Sequence, residues 1–270
     1  MAENNPLTFG SLFAGIGGFD LGFERAGMVC KWQVEIDDYA TKVLEKHWPH
    51  VHRERDIREC GKHNLEPVDV ICGGFPCQDI SYAGLGAGLD GERSGLFFEA
   101  IRLVRQLQPR IVVLENVAAL LTRGLDKVLG MLASIGFDAE WHCIPAAAVG
   151  APHLRERVFI IADNRRERVA WLAGKSIQRV IAFSWCKNVR RLEDLPARSN
   201  LYASRLCGSG DGISKRMDRL RGLGNAVVPQ VAEWIGWRIV EHERSTACRK
   251  NGNSNPAKNA AHENDATCQL

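Results

Sequence analysis

Leu7-Thr8-Phe9-Gly10-Ser11-Leu12-Phe13-Ala14-Gly15-Ile16-Gly17-Gly18-Phe19 is an apolar run that breaks into a glycine-rich turn. The order reads as a buried strand entering a tight loop. Phe19, Leu21, Phe23 and Ala26 then recur at helical spacing, and Gly27 stops the helix. Working outward, the alternation repeats. Residues 29–36 read as a second strand closing on the acidic group Glu35, Asp37 and Asp38, and 39–47 as a helix closed by Trp48-Pro49. A short third strand ends at Asp56-Ile57. Residues 68–72 form a fourth strand, running into Gly73-Gly74-Phe75-Pro76-Cys77-Gln78 and a glycine-rich loop, 84–95. Residues 96–107 read as a helix and 111–114 as a fifth strand closing on Glu115-Asn116-Val117. Residues 125–135 are another helix stopped by Gly136. Two more strands follow at 137–144 and 157–162, the second expected at the end of the sheet.

Strands alternating with helices at this spacing predict an open, mostly parallel α/β sheet with helices on both faces. Ligands of such sheets sit beyond the carboxyl ends of the strands. That rule gathers four loops at one edge: 15–18, 35–38, 75–78 and 115–117.

The chain has 270 residues, 45% apolar and 25% charged, enough for one large domain or one large and one small. No stretch approaches the roughly 20 apolar residues of a membrane span. Met1 to Pro6 is polar, without a signal-peptide pattern, so a cytoplasmic protein without a membrane partner is expected. Nine cysteines are scattered with no Cys-x-x-Cys pair, so no metal site is expected. The total charge is +3, yet residues 163–219 carry 13 Lys/Arg against 6 Asp/Glu, a net of +7. A basic segment on a mildly acidic body suits a polyanionic partner or a solvated surface. Periodicity fades after Asp163. Order returns at Arg219-Leu220-Arg221-Gly222-Leu223-Gly224-Asn225-Ala226-Val227-Val228-Pro229 and an apolar helix over 230–240, expected to pack back on the sheet. Residues 246–270 are polar and are expected to form a disordered tail.

Three features carry chemistry. Gly15-Ile16-Gly17-Gly18 after a strand, with Glu35 about 20 residues on, suits a nucleotide-type cofactor: glycines admit close approach and the acid can bind ribose hydroxyls. Spacing alone leaves NAD and S-adenosylmethionine open, and Asp20 stands where Gly-x-Gly-x-x-Gly has its third glycine. Cys77, in a glycine-flanked loop at a strand end, is a potential thiolate nucleophile. Glu115, also at a strand end, can donate a proton at neutral pH if a closed pocket raises its pKa.

These residues, taken in order, resemble the cytosine-5 DNA methyltransferases. Phe13-Ala14-Gly15-Ile16-Gly17-Gly18-Phe19 is similar to the family's first motif. Gly74-Phe75-Pro76-Cys77-Gln78 with Arg93-Ser94-Gly95-Leu96-Phe97-Phe98 is similar to its catalytic motif. Glu115-Asn116-Val117 is similar to its Glu-Asn-Val triplet, His153-Leu154-Arg155-Glu156-Arg157-Val158-Phe159 to its Gln-x-Arg-x-Arg motif, and Gly224-Asn225-Ala226-Val227 to its last motif. Ser11 stands where many members have Asp, and His153 replaces the usual Gln. The resemblance covers about 1–162 and 205–240.

The resemblance implies a Rossmann-like fold using S-adenosylmethionine as cofactor, with 1–162 and 217–245 as the catalytic domain and 163–216 as a short target-recognition region. It implies catalytic roles for Cys77, Glu115, Arg155 and Arg157, with Arg157 the supporting arginine. Cofactor contacts are implied for Phe13, Gly15, Gly17, Gly18, Glu35, Ile36, Asp56, Ile57, Pro76 and Asn225, with Asn225 also bracing the loops. The expected substrate is cytosine in double-stranded DNA, flipped from the helix. The expected setting is a monomer with a cognate restriction endonuclease, phage self-protection or a solitary enzyme. The rivals are an RNA (tRNA) cytosine-5 methyltransferase, a DNA-binding relative without catalysis, and an NAD-dependent oxidoreductase, which leaves Cys77 and Glu115 unexplained.

Overall fold

A computed structural model of the chain describes residues 5–76, 95–151, 153–164 and 222–250. Cys77 and nearly all of the basic segment (165–221) lie outside the described residues, as does 251–270. Within them, seven strands form one sheet: β1 (Thr8–Leu12), β2 (Val29–Val34), β3 (His52–Glu54), β4 (Val70–Gly74), β5 (Ile111–Val117), β6 (Asp138–Pro145) and β7 (Glu156–Asp163). The helices are α1 (Gly18–Arg25), α2 (Asp38–His47), α3 (Gly95–Leu107), α4 (Leu120–Arg123), α5 (Leu125–Ser134) and α6 (Pro229–Lys250).

The strand order is β3-β2-β1-β4-β5-β7-β6. The first five strands in chain order pair parallel, and β7 runs antiparallel to both β5 and β6. The α/β alternation forces this. Each crossover helix returns the chain to start the next strand from the same end, whereas the β6–β7 connection reverses it. Strands buried on both faces read as unbroken apolar runs. In β5, Val112 and Leu114 face one core with Phe97, Ile101 and Val104 of α3 and Val128 and Leu132 of α5. Ile111 and Val113 face the other core, with Phe19 and Phe23 of α1 and Val231, Trp234 and Ile235 of α6.

The expected place of the 157–162 strand at the end of the sheet is corrected by this order. β7 lies between β5 and β6, and Val158, Phe159, Ile160, Ile161 and Ala162 are all buried. The edge belongs to β6, whose Asp138, Trp141 and Cys143 are exposed. Polar and charged residues on an outer strand discourage edge-to-edge pairing. The last helix also runs to Lys250, past both its expected end and the start of the expected tail. Its polar half carries an ion pair along the helix, Arg238 to Glu241 at 2.7 Å, and is tied to the sheet domain by Arg110 to Glu243 at 2.8 Å.

α6 docks on α1 through small residues. A Cβ on Gly22 would lie 2.5 Å from both Ala232 Cβ and Pro229 O, and one on Gly236 would lie 2.7 Å from Ala26 Cβ. Gly22→Leu is therefore expected to lower stability by about 1–3 kcal/mol through overpacking. Urea unfolding reads this, and an unchanged midpoint would mean that the two helices do not pack in this way.

Candidate active site

The strand order reverses between β1 and β4, where the loops after them part and open a crevice. The loops after β2, β3 and β5 reach the same edge, and β7 starts from it. A cavity of about 640 Å³ lies there, within the range of pockets that take small molecules and cofactors. It is lined by Phe13, Gly15, Glu35, Ile36, Asp56, Ile57, Pro76, Glu115, Arg157 and Asn225, among others. Gly17, Gly18 and Arg155 are not among its lining residues. Cys77 is the residue bonded to Pro76 and is outside the described residues.

The glycine loop is shaped by backbone that side chains resist. Gly15 and Gly17 have φ of 57° and 85°, and Phe13 itself sits at 52°. A non-glycine residue in that region is strained, a feature that clusters at ligand sites. Gly18 permits close approach: a Cβ there would lie 2.3 Å from Val227 O. α1 thus begins against the segment that carries Asn225.

Glu35 ties this loop to the next. Its Oε2 accepts from Gly15 N at 2.7 Å and its Oε1 from Asp37 N at 2.8 Å. Glu35 is 9% exposed, and burial pushes its pKa up against these backbone donors. Each oxygen keeps a lone pair for a further donor, such as a ribose hydroxyl. The exposed Ile36 and the buried Ile57 offer apolar surface beside it. Asp56 caps the turn at 57–59 by accepting from Arg58 N at 3.0 Å, and the Arg58 guanidinium holds its carboxyl below the usual range. An acid for ribose, an apolar slot and an open glycine loop fit a nucleoside-type ligand.

At the cavity's other end, Glu115 lies within β5 opposite Gly74, the last residue of β4. A Cβ on Gly74 would lie 2.8 Å from Glu115 Oε2, so glycine there leaves room for the carboxyl. Burial raises the Glu115 pKa to about 7, against the lowering pull of Arg157 and then Arg155. Arg157 Nε lies 2.9 Å from Glu115 Oε1, yet that oxygen accepts no aligned hydrogen bond. The group is therefore balanced between acid and anion near neutral pH, the condition suited to a proton donor. Asn116, 2% exposed, donates to Phe75 O at 3.4 Å and so pins the stretch that leads into Pro76-Cys77.

The two arginines make different contacts. Arg155 is the brace: its Nη1 donates to Leu223 O at 3.3 Å and its Nη2 to Ala226 O at 2.7 Å, holding the stretch around Asn225. Burial, and then Arg157, lower its pKa. Arg157 is the one at Glu115. Tyr39, Arg55, Arg58 and Leu96 also line the cavity. The sequence pattern did not single them out as site residues, although each lies within a few residues of a motif position. Arg55 pairs with Asp38 and donates to Thr41 Oγ1 at 2.7 Å.

Comparison with known proteins bears on this geometry. The family described as C-5 cytosine-specific DNA methylase matches residues 7–204. The chain is 36% identical over 162 residues to the Type II methyltransferase M.BsuFI of Bacillus subtilis, a stretch covering 57% of this chain and 39% of that one. It is 37% identical over 167 residues to the Type II methyltransferase M.Eco47II of Escherichia coli, covering 59% and 40%. The chain thus spans about two fifths of the length of these curated relatives. Among solved structures it is similar to a putative DNA modification methyltransferase encoded within a prophage in E. coli, with 29% identity, TM-score 0.50, and coverage of 58% and 46%. A methyltransferase of Entamoeba histolytica, 15% identical with TM-score 0.53 over 62% and 56%, shares the fold.

Proposed function

The chain belongs to the C-5 cytosine-specific DNA methylases, and on that premise we propose that it transfers a methyl group from S-adenosylmethionine to carbon 5 of a cytosine flipped out of double-stranded DNA. The observation that carries the proposal is the single cavity region joining the Glu35 carboxylate and glycine loop at one end to the Glu115–Arg157 pair beside Pro76 at the other. One end suits a nucleoside-type cofactor, and the other suits proton donation next to a cysteine.

Glu35 would hold the ribose hydroxyls, and Asp56 and Ile57 the adenine, with Phe13 and Ile36 packing on the cofactor's apolar surface. S-adenosylmethionine, when bound, supplies a methyl group on an electrophilic sulfonium, which an activated carbon 5 accepts. Activation is the work of this chain. The Cys77 thiolate forms a bond to carbon 6, and the displaced electron pair moves toward carbon 5 and ring nitrogen 3. Glu115 delivers its proton to, or shares it with, nitrogen 3, so charge does not accumulate on the ring. After methylation a base removes the carbon-5 proton, the electron pair re-forms the ring double bond, and Cys77 leaves as thiolate. Arg157 steadies the Glu115 carboxylate. Arg155 braces the stretch around Asn225. The basic residues of 163–216 would contact phosphates, with a few side chains reading base edges.

Among the described residues no helix is long and apolar enough to cross a membrane. A monomer serving a restriction-modification pair is the proposed setting, in keeping with the Type II names of the relatives.

Methyl-labelled S-adenosylmethionine with duplex DNA or tRNA tests the reading: label on DNA cytosine is expected. Label on tRNA alone would move the substrate to RNA, and label on neither would contradict the activity. Glu35→Ala is expected to raise the cofactor dissociation constant about 10- to 100-fold, the loss of hydrogen bonds to a charged group. Isothermal titration reads it, and an unchanged value would remove Glu35 from the ribose.

A further inference from the structure

Next to the glycine loop runs a polar chain, three of its members buried and Arg53 half-buried, and none of them lines the cavity. Ser11 on β1, Gln33 on β2 and Arg53 on β3 occupy one row of the sheet, Ser11 paired with Gln33 and Gln33 with Arg53. Asp20, in the first turn of α1, sets its carboxylate onto that row. Ser11, Asp20 and Gln33 are all 0% exposed. Ser11 Oγ donates to Asp20 Oδ2 at 3.1 Å, and Gln33 Nε2 donates to Asp20 Oδ1 at 2.7 Å. Cys30 Sγ adds a weak donor to Oδ1 at 3.6 Å. On the other side of the same amide, Gln33 Oε1 accepts from Arg53 Nε at 3.1 Å and Nη2 at 2.8 Å. One amide thus joins an anion to a cation, and its orientation is set from both ends.

Packing alone does not call for this arrangement. The row continues into the core as Cys72 and Val113, and burying a carboxylate costs free energy that an apolar side chain would not. Burial pushes the Asp20 pKa up to about 6, while its hydrogen-bond donors pull it back.

The chain reaches the cofactor loop from two sides. Asp20 lies two residues inside α1, whose N-cap, Gly17, has no side-chain cap of its own. Arg53 Nη2 donates to Trp48 O at 3.1 Å, and the Trp48 ring covers Gly17 so closely that a Cβ there would lie 2.4 Å from it. The loop is held from below through Asp20 and from the flank through Arg53 and Trp48.

We propose that Asp20, Gln33 and Arg53 are positioning residues that hold the Gly15–Gly18 loop in the form that receives the cofactor, an assignment resting on the S-adenosylmethionine reading above. Asp20→Asn keeps the shape and removes the charge. Because Ser11 Oγ and Asp20 Oδ2 are 3.1 Å apart, a carboxylate can also be delivered to this spot from β1, by the exchange Ser11→Asp with Asp20→Ser.

Isothermal titration of S-adenosylmethionine into the full chain, with melting temperature and turnover at saturating cofactor, tests the assignment. Asp20→Asn is expected to weaken cofactor binding about tenfold, as loss of charge-assisted bonds implies, with little change in saturated turnover. The exchange variant is expected to restore affinity. Wild-type affinity in Asp20→Asn overturns the assignment. So does an exchange variant that melts like wild type yet binds as weakly as Asp20→Asn. If Asp20→Asn does not fold, the exchange variant decides alone, restored binding supporting the assignment and lost binding overturning it. A wild-type chain that binds no S-adenosylmethionine overturns the cofactor reading itself, and the assignment with it.

Discussion

Cys77→Ala is expected to reduce methyl transfer by at least about 10⁴-fold, the scale on which removal of a covalent nucleophile acts, while S-adenosylmethionine affinity stays at its wild-type value. The separation follows from the layout of the site. The end of the cavity proposed for the cofactor is built from Phe13, Gly15, Glu35, Ile36, Asp56 and Ile57, on the loops after β1, β2 and β3. Cys77 follows Pro76 in sequence, after β4, whereas Glu35 is held by Gly15 N and Asp37 N. Cytosine carbon 5 is a poor nucleophile until a group adds at carbon 6, and neither Glu115 nor Arg157 can supply that bond. Methyl-labelling kinetics and titration of the same preparation read the two quantities together. Activity retained by the variant would assign the addition to another group, and loss of both activity and cofactor binding would remove Cys77 from its nucleophilic role.

Glu115→Gln is expected to lower turnover about 10²- to 10⁴-fold, the usual contribution of a positioned general acid. Glutamine keeps the size and can donate a hydrogen bond, but it cannot release a proton to ring nitrogen 3. The pH profile carries the more specific expectation. Burial raises the Glu115 pKa to about 7, so the proton-bearing form dominates below that value and is depleted above it. The proposed mechanism requires this proton on Glu115 and none on Cys77, so wild-type turnover is expected to rise and then fall with pH. The Glu115→Gln variant should lose the alkaline fall and rise until the thiol is fully ionised. A profile for the variant that keeps the wild-type alkaline fall would assign that limb to another group. Arg157 sits 2.9 Å from the carboxyl and opposes the upward shift, so Glu115 remains close enough to neutrality to cycle between its two forms.

Much of this arrangement is legible in the sequence, and particular residues show why. Glycines in a row after an apolar run announce a strand-loop-helix, and Gly15 and Gly17 do take left-handed backbone angles there. The rule that parallel strands bring their carboxyl ends to one edge then gathers Glu35, Pro76 and Glu115 around one cavity. Lateral order within the sheet was not legible. The run 158–162 is apolar throughout, which marks a strand covered on both faces, but nothing local says that it pairs with β5 and leaves β6 outside. The reach of α6 to Lys250 was hidden because its polar half has no apolar stripe. It is held instead by the bond from Arg110, more than 130 positions away, to Glu243. The contacts of Arg155 and Arg157 are not legible in the sequence, because the two are of the same chemical type and only two positions apart, Arg155 just before β7 and Arg157 within it. Only the carbonyls of Leu223 and Ala226 and the carboxyl of Glu115 tell them apart. Asp20 shows in the sequence only as a departure from a glycine pattern; strand register brings its partners Ser11 and Gln33 together and places Arg53 on the far side of Gln33.

The most direct measurement of the central claim is bisulfite sequencing of genomic DNA from a host that lacks cytosine methylation, expressing either this chain or its Cys77→Ala form. Protected cytosines in a recurrent sequence context, present with the wild-type chain and absent with Cys77→Ala, are the predicted result and would read out the recognition site as well. No protected cytosine from a soluble chain that binds S-adenosylmethionine would contradict DNA cytosine-5 methylation.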